Sequence, residues 1–380
     1  MEIYLDHAAT TTIDPAVRDL MLQVLEQDFG NPSSMHMKGV DAEEYIRKAS
    51  EEVSRAIGAK PKEIVFTSGG TESNNLAIIG GAMAHRRAGK HIITSKIEHA
   101  SVLSPMDFLA KEGYEITYIG TDEHGRIDVR ELADAIREDT ILVSLMYVNN
   151  EIGTIEPIPE IAKLIHAANP RTLFHVDAVQ AFGKLSFKVA ALGCDLLSMS
   201  GHKIHGPKGS GALYIKDKTL IRPIIYGGGQ QRDMRSGTEN VPAIAGMGLA
   251  TERMYDGLAE KMERVARLKK KLIDGATALP DVVDHSGEAP HVVSLSFVGV
   301  RAEVMLHALE DKGVYVSAGS ACSSNKKKES GVLHAIGLPK EQLESTLRFS
   351  LSDVTTKEEI DGALAAIGEL LPVLRRYTAK

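Results

Sequence analysis

The chain has 380 residues, with 44 Lys and Arg against 51 Asp and Glu and a net charge of −7. That length exceeds what one compact core sustains and implies two domains, and the negative balance, with no same-sign block longer than Lys326–Lys328, argues against nucleic acid as a direct partner. No apolar stretch approaches the roughly 20 residues that a bilayer span needs and no leader-like segment opens the chain, so a soluble, cytoplasmic protein is expected.

In chain order, the first helix is predicted from Asp14 as N-cap and Pro15 at the first helical position, with Val17, Leu20, Met21, Val24 and Leu25 at helical spacing and Gly30 as its end. A second amphipathic stretch covers residues 40–57. The run EIVFTS then reads as a strand leading into a Gly-rich turn and a helix. Comparable apolar runs recur at HIITS, EITYIG, TILVSLMYV, TLFHVDAV, CDLLSMS and GALYI, most of them separated by helix-like stretches. Such alternation predicts an α/β domain with a largely parallel sheet, here over residues 14–255. Beyond residue 255 a long charged helix leads to VVSLSFV, TLRFSLS and a closing helix, read as a smaller second domain.

Ligands of a parallel α/β sheet sit outside the carboxyl ends of its strands, so the polar residues there carry the search. After EIVFTS, the small residues around Gly70 and Thr71 open a helix whose free N–H groups and dipole suit an anion, though a simple helix-capping turn would read the same way. The strand TLFHVDAV brings Asp177, with Gln180 three residues on, and CDLLSMS ends at Ser200-Gly201-His202-Lys203. A lysine amine can form a Schiff base with an aldehyde cofactor, and an aspartate beside it can hold a pyridinium nitrogen protonated. His99 comes after HIITS, where an imidazole can stack on a flat ring or shuttle a proton, or merely open a helix.

Two cysteines are too few for a disulfide framework or a CxxC-type metal site. Cys194, in an apolar run, is expected to be a small buried hydrophobe. Cys322 lies among small residues and is followed by three lysines, a setting that favours thiolate and suits a nucleophile. Arg348, alternating with apolar neighbours on a predicted strand, either pairs with a buried carboxylate or binds a ligand carboxylate with its planar fork.

Taken together, YLDHAATT, NPSSMH, GTESNN, EHASV, NNEIGT, HVDAVQ, SGHKIHGPKG, RSGTEN, GSACSS and RFSLS resemble, nearly end to end, the cysteine desulfurases of the NifS/IscS type among the class V aminotransferase-like enzymes. The resemblance implies fold type I, with a mostly parallel seven-stranded sheet in a large domain and a small α+β domain made of residues 1–13 and 256–380. It implies pyridoxal 5′-phosphate, with Lys203 as the Schiff-base lysine, Asp177 at the ring nitrogen, Gln180 at the ring hydroxyl and His99 stacked on the ring. Gly70, Thr71, Ser200 and His202 would hold the phosphate, with Thr238 reaching in from a second subunit of a homodimer. Asn31, Asn149 and Arg348 would surround the substrate carboxylate, and Cys322 would take sulfur from L-cysteine as a persulfide. The implied product is alanine, and the sulfur would pass to an acceptor such as an iron–sulfur scaffold or a tRNA-thiolation protein. A single loop cysteine holds no stable cluster, so any iron–sulfur contact at Cys322 would be transient and no metal site is expected. Selenocysteine lyase, aminotransferase and a non-catalytic scaffold are the rival readings.

Overall fold

The computed structural model describes residues 2–318 and 330–378. Its strands among these residues are β1 (Ile3–Tyr4), β2 (Ile64–Thr67), β3 (His91–Ser95), β4 (Glu115–Ile119), β5 (Thr140–Met146), β6 (Leu173–Asp177), β7 (Leu196–Ser200), β8 (Gly211–Ile215), β9 (Val282–Asp284), β10 (Val292–Phe297), β11 (Val314–Tyr315), β12 (Ser317–Ala318) and β13 (Thr346–Ser350). Seven of them form one sheet in the order β2-β8-β7-β6-β5-β3-β4. The pairs from β7 through β6, β5 and β3 to β4 are parallel, whereas β8 runs against both its neighbours. Because β2 opposes β8 and β8 opposes β7, β2 points the same way as the parallel strands. Thr67, Ser95, Met146, Asp177 and Ser200 therefore all end at one edge.

Burial explains why these strands read as unbroken apolar runs. Every residue of β5 is buried, because helices cover both faces of the sheet. At the edge, β4 alternates less cleanly and leaves Glu115 exposed.

The first helix, α1 (Pro15–Glu26), starts as expected: the Asp14 carboxylate accepts the Ala16 N–H at 2.8 Å. It ends before Gly30, which serves another purpose. A Cβ at Gly30 would stand 1.8 Å from the Lys38 carbonyl oxygen, so glycine lets this loop lie against the opening of α2 (Met37–Ile57). That helix starts three residues earlier than the apolar pattern indicates. The helices α3 (Gly70–His85) and α4 (Ala100–Lys111) come after β2 and β3.

A second, antiparallel sheet has the order β12-β13-β10-β9 and is backed by the long helices Leu258–Thr277 and Lys357–Thr378. The N-terminal segment joins the two sheets. β1 pairs in parallel with β11, the Ala8 N–H donates to Ser350 Oγ at 2.8 Å, and the Thr11 N–H donates to the His202 carbonyl at 2.9 Å. Phe182, Met254, Leu258, Val293 and Leu295 belong to one continuous apolar core beneath both sheets.

Candidate active site

The common edge of the parallel strands gathers the polar groups. Asp177, the last residue of β6, is buried; its Oδ1 accepts the Val179 N–H at 3.0 Å and its Oδ2 accepts Asn74 Nδ2 at 2.7 Å. Among the described residues no Lys or Arg forms a salt bridge with it. A buried carboxyl group held only by neutral donors is placed to pair with a cation that arrives with a ligand.

Asn74 sits on α3, one turn beyond Gly70, and its amide also donates to Ser101 Oγ at 2.8 Å. Ser101 in turn meets His99 Nδ1 at 2.8 Å, and the Ser101 N–H donates to the same nitrogen at 3.1 Å. Nδ1 is thus an acceptor, so the proton of the neutral imidazole rests on Nε2. Burial pulls the His99 pKa below the ordinary value; the Asp177 charge opposes the shift and Lys203 and Arg348 reinforce it. His99 is also the N-cap of α4, so both sequence readings of it meet in one residue.

Lys203 closes the tight turn Gly201–Lys203 after β7. Its ammonium donates to the carbonyls of Ala8 and, at 2.7 Å, Ala9, while Gln180 Nε2 donates to the Ala8 carbonyl at 3.0 Å. The neighbouring His202 is pushed down to about 4, by burial and then by the Lys203 charge, and is neutral. Ser200 Oγ is buried and has no hydrogen-bond partner among the described residues.

At the mouth of β2, α3 begins at Gly70 behind the N-cap Gly69 (φ 154°) and offers its first N–H groups. A Cβ at Gly70 would stand 2.6 Å from Val179 Cγ2, so glycine keeps this corner close to the Asp177 turn. Thr71 and His99 line a cleft of ≈ 550 Å³ together with Ile79 and Phe108.

Arg348 arrives from the other sheet, on β13. Its Nη2 forms an ion pair with Asp6 Oδ1 at 2.9 Å and its Nη1 donates to the Asn150 carbonyl at 2.9 Å, whereas Nε is buried with no partner among the described residues. The side chain is clamped by a carboxylate and keeps its Nε–H unused among the described residues.

Three other candidates stand differently. Asn149 is fully buried, its Oδ1 accepts the N–H groups of Glu151 and Ile152 at 2.8 and 3.0 Å, and its Nδ2 donates to the Ile97 carbonyl at 3.1 Å. Its side chain shapes the loop after β5. Asn31 lies on the exposed turn between α1 and α2, where its Oδ1 accepts the Ser33 N–H at 2.9 Å. Thr238 is exposed on the loop before the helix Val241–Tyr255. Cys322 lies outside the described residues; the described chain stops at Ala318, the end of β12, where Ser317 is paired with Arg348. Cys194 is buried, as expected, and burial pushes its thiol up to about 12, which removes it as a nucleophile.

Sequence reasoning missed Asn74, Ser101 and Asp6. Asn74 had a signal, a polar side chain on an inward face of α3 otherwise lined by Leu76, Ala77 and Ile78, while Asp6 becomes visible only when the two sheets meet.

The sequence profile of the family described as aminotransferase class-V matches residues 3–362. The cysteine desulfurase IscS of Dictyoglomus turgidum is 47% identical over 378 residues, which span 98% of this chain and 95% of that protein. Among solved structures, one titled as a NifS-like protein superimposes with a TM-score of 0.94 at 37% identity, covering 98% of this chain and 100% of the other. A second, titled SspA in complex with cysteine, gives a TM-score of 0.83 at 35% identity, over 93% and 100% of the two chains. The chain belongs to the class-V aminotransferase family and is a pyridoxal-phosphate-dependent enzyme. The residues of this sheet edge fit that cofactor: a lysine amine on Lys203, a buried carboxyl group on Asp177 with no salt bridge among the described residues, and a buried Ser200 hydroxyl, without a partner among those residues, close to a glycine-opened helix start.

Proposed function

We propose that the protein is a cysteine desulfurase that converts L-cysteine to L-alanine and carries the released sulfur as a persulfide on Cys322. The observation that carries this reading is the convergence of Lys203, Asp177 and neutral His99 at one sheet edge, faced by Arg348 from the second sheet. The choice of cysteine as substrate rests on the names of the relatives at 43–47% identity.

Bound at this edge, pyridoxal phosphate acts as an electron sink that makes the α-hydrogen of an attached amino acid acidic. Gly70, Thr71, Ser200 and His202 hold its phosphate, and Asp177 keeps the proton on its ring nitrogen. Arg348 and Asn149 hold the substrate carboxylate, with Asn31 close by, and Arg348 gives up or shares its Asp6 contact to do so. Lys203 would hold the cofactor aldehyde, and its amine moves the proton at the substrate α-carbon. His99, neutral and with its proton on Nε2, moves a proton at the substrate sulfur. The Cys322 thiolate attacks that sulfur, the carbon–sulfur bond breaks, and alanine leaves after protonation.

The chain divides into a large domain, residues 14–255, and a small one, residues 1–13 with 256–380. Support comes from β1 pairing with β11 and from Asp6 bridging to Ser350. The active form is a homodimer, in which Thr238 of one subunit completes the phosphate site of the other. Exposed Leu22, Leu25, Phe29, Met35 and Met37, clustered on α1, α2 and the turn between them, supply an apolar face for that contact. No described helix is long and apolar enough to cross a membrane, which accords with a cytoplasmic enzyme that hands sulfur to an iron–sulfur scaffold or a tRNA-thiolation protein.

The test is to follow the visible absorbance of the loaded protein and then measure alanine and sulfide formed from L-cysteine with a reductant. Alanine and sulfide in equal amounts support the reading. Keto-acid-dependent amino transfer without sulfide identifies an aminotransferase, and activity confined to selenocysteine identifies a selenocysteine lyase.

A further inference from the structure

Behind Lys203 lies a buried polar chain that the catalytic steps leave unused. His291, just before β10, and Lys184, on the turn after β6, are both buried, and between them and the site stands Gln180. The links toward the site are formed: His291 Nε2 lies 3.3 Å from Gln180 Oε1, Gln180 Nε2 donates to the Ala8 carbonyl at 3.0 Å, and that carbonyl also accepts from Lys203 Nζ. On the far side two buried groups have no hydrogen-bond partner among the described residues, namely His291 Nδ1 and Lys184 Nζ. One can only donate and the other, if Nε2 carries the proton, can only accept.

The charges that act most strongly on His291 are positive, while Asp353 acts on Lys184 and Asp284 and Glu288 act on Lys269. The positive charges come from Lys184, Lys269 on the helix Leu258–Thr277, Arg348 on β13 and Lys203, with Lys184 acting most strongly. Burial and these cations push the imidazole well below its ordinary pKa, so it is neutral and only its tautomer remains to be fixed. The tautomer decides the rest of the chain. A proton on Nε2 demands the oxygen of the Gln180 amide, which turns the amide NH₂ toward the Ala8 carbonyl and Lys203; a proton on Nδ1 would favour the flipped amide.

We propose that Lys184 and His291 form a positioning pair for Gln180: the Lys184 ammonium donates to His291 Nδ1 through one bridging water, and so holds the proton on Nε2 and the Gln180 amide with its NH₂ toward the site. Two buried orphan groups then satisfy each other, so neither is left with an unmet hydrogen bond in the interior. The functional consequence rests on the reading of Gln180 as the contact to the cofactor ring hydroxyl. An amide NH₂ facing that oxygen favours its ionised form, whereas a flipped amide opposes it, so the pair sets the pH at which the bound chromophore titrates.

The experiment uses Lys184→Met, His291→Leu and His291→Gln. Replacing a buried ammonium by an apolar chain of similar length is neutral or stabilising in many proteins, so Lys184→Met is expected to fold. In ¹⁵N-histidine-labelled protein without cofactor, the His291 signals, identified by their loss in His291→Gln, should show a neutral ring protonated on Nε2, and Lys184→Met should populate the Nδ1–H form. In the loaded protein the absorbance titration should move up by about one pH unit in Lys184→Met and His291→Leu, and return towards the parent in His291→Gln, whose amide still donates to Gln180. A His291 tautomer unchanged by Lys184→Met overturns the proposal, as does a change instead at His7, whose buried Nδ1 also lacks a partner among the described residues and which also feels the Lys184 charge. So does a titration that stays at the parent value in both Lys184→Met and His291→Leu. A parent protein with no borohydride-reducible band defeats the cofactor assignment instead, and the cofactor-free histidine spectra still decide the pair.

Discussion

The edge of the seven-stranded sheet and the face of the four-stranded sheet approach the same site with opposite designs. The first is built from strand ends whose groups are locked before any ligand arrives: Asp177 by the Val179 N–H and Asn74, His99 by Ser101, and Lys203 by the Ala8 and Ala9 carbonyls. The second offers Arg348, tied to Asp6, and the two-residue strand β12, which ends at Ala318, four residues before Cys322 in the sequence. Proton transfer at carbon needs fixed geometry, and the parallel sheet supplies it through burial on both faces. Sulfur transfer needs a nucleophile that meets the substrate and afterwards an acceptor.

Substitutions on the two sides should therefore fail differently. The largest effect is expected on the locked side: Lys203→Ala should lower alanine formation by about 10³-fold or more and abolish the borohydride-reducible band. Asp177→Asn keeps the size and shape of the side chain but removes the charge and one of the two acceptor oxygens that Val179 and Asn74 use, so turnover should fall about 10²-fold with the band shifted while cofactor is retained. If Asp177→Asn loses nothing, the contrast between the sheets breaks. On the other side, Arg348→Lys keeps the charge and loses the fork, so KM for L-cysteine should rise about tenfold with a smaller change in kcat. A kcat loss equal to that of Asp177→Asn would place Arg348 in the chemistry and not in orientation.

A smaller and global effect comes from the buried histidines. His7 and His175 are each held down to about 3, chiefly by burial. In the unfolded chain they protonate below about pH 6.5, while in the folded protein they stay neutral to far lower pH. The unfolded state thus binds more protons in that window, and folding stability falls as pH drops below about 6.5, by up to about 1.4 kcal/mol per unit for each histidine. Denaturant midpoints at pH 7 and pH 5.5 check this; equal midpoints would show that these rings find proton acceptors when folded.

Much of this arrangement is legible in the residues. All seven strands of the large sheet are marked by apolar runs, because a strand covered on both faces has no polar side to break its pattern. The strand-mouth rule then leads to Asp177, Lys203 and His99. The two-residue strands β1, β11 and β12 leave no trace, since a pairing that short has no periodicity and is set by tertiary contact. Gly30 misleads the reading of α1 because it resembles a helix stop while serving the close approach of Lys38. The motif around Asn149 does not reveal that its side chain also folds the loop after β5, where its Oδ1 accepts two backbone N–H groups. Asp6, more than three hundred residues from Arg348 in sequence, is another partner that no local pattern predicts.

The most direct test of sulfur transfer through Cys322 is to treat the loaded protein with L-cysteine under oxygen-free conditions, alkylate it, digest it and locate the added sulfur by mass spectrometry. The expected result is one extra sulfur atom on the peptide containing Cys322, none on that containing Cys194, and no alanine from Cys322→Ser beyond background despite an intact absorbance band. Undiminished alanine formation by Cys322→Ser, or sulfur found on Cys194, would contradict the assignment.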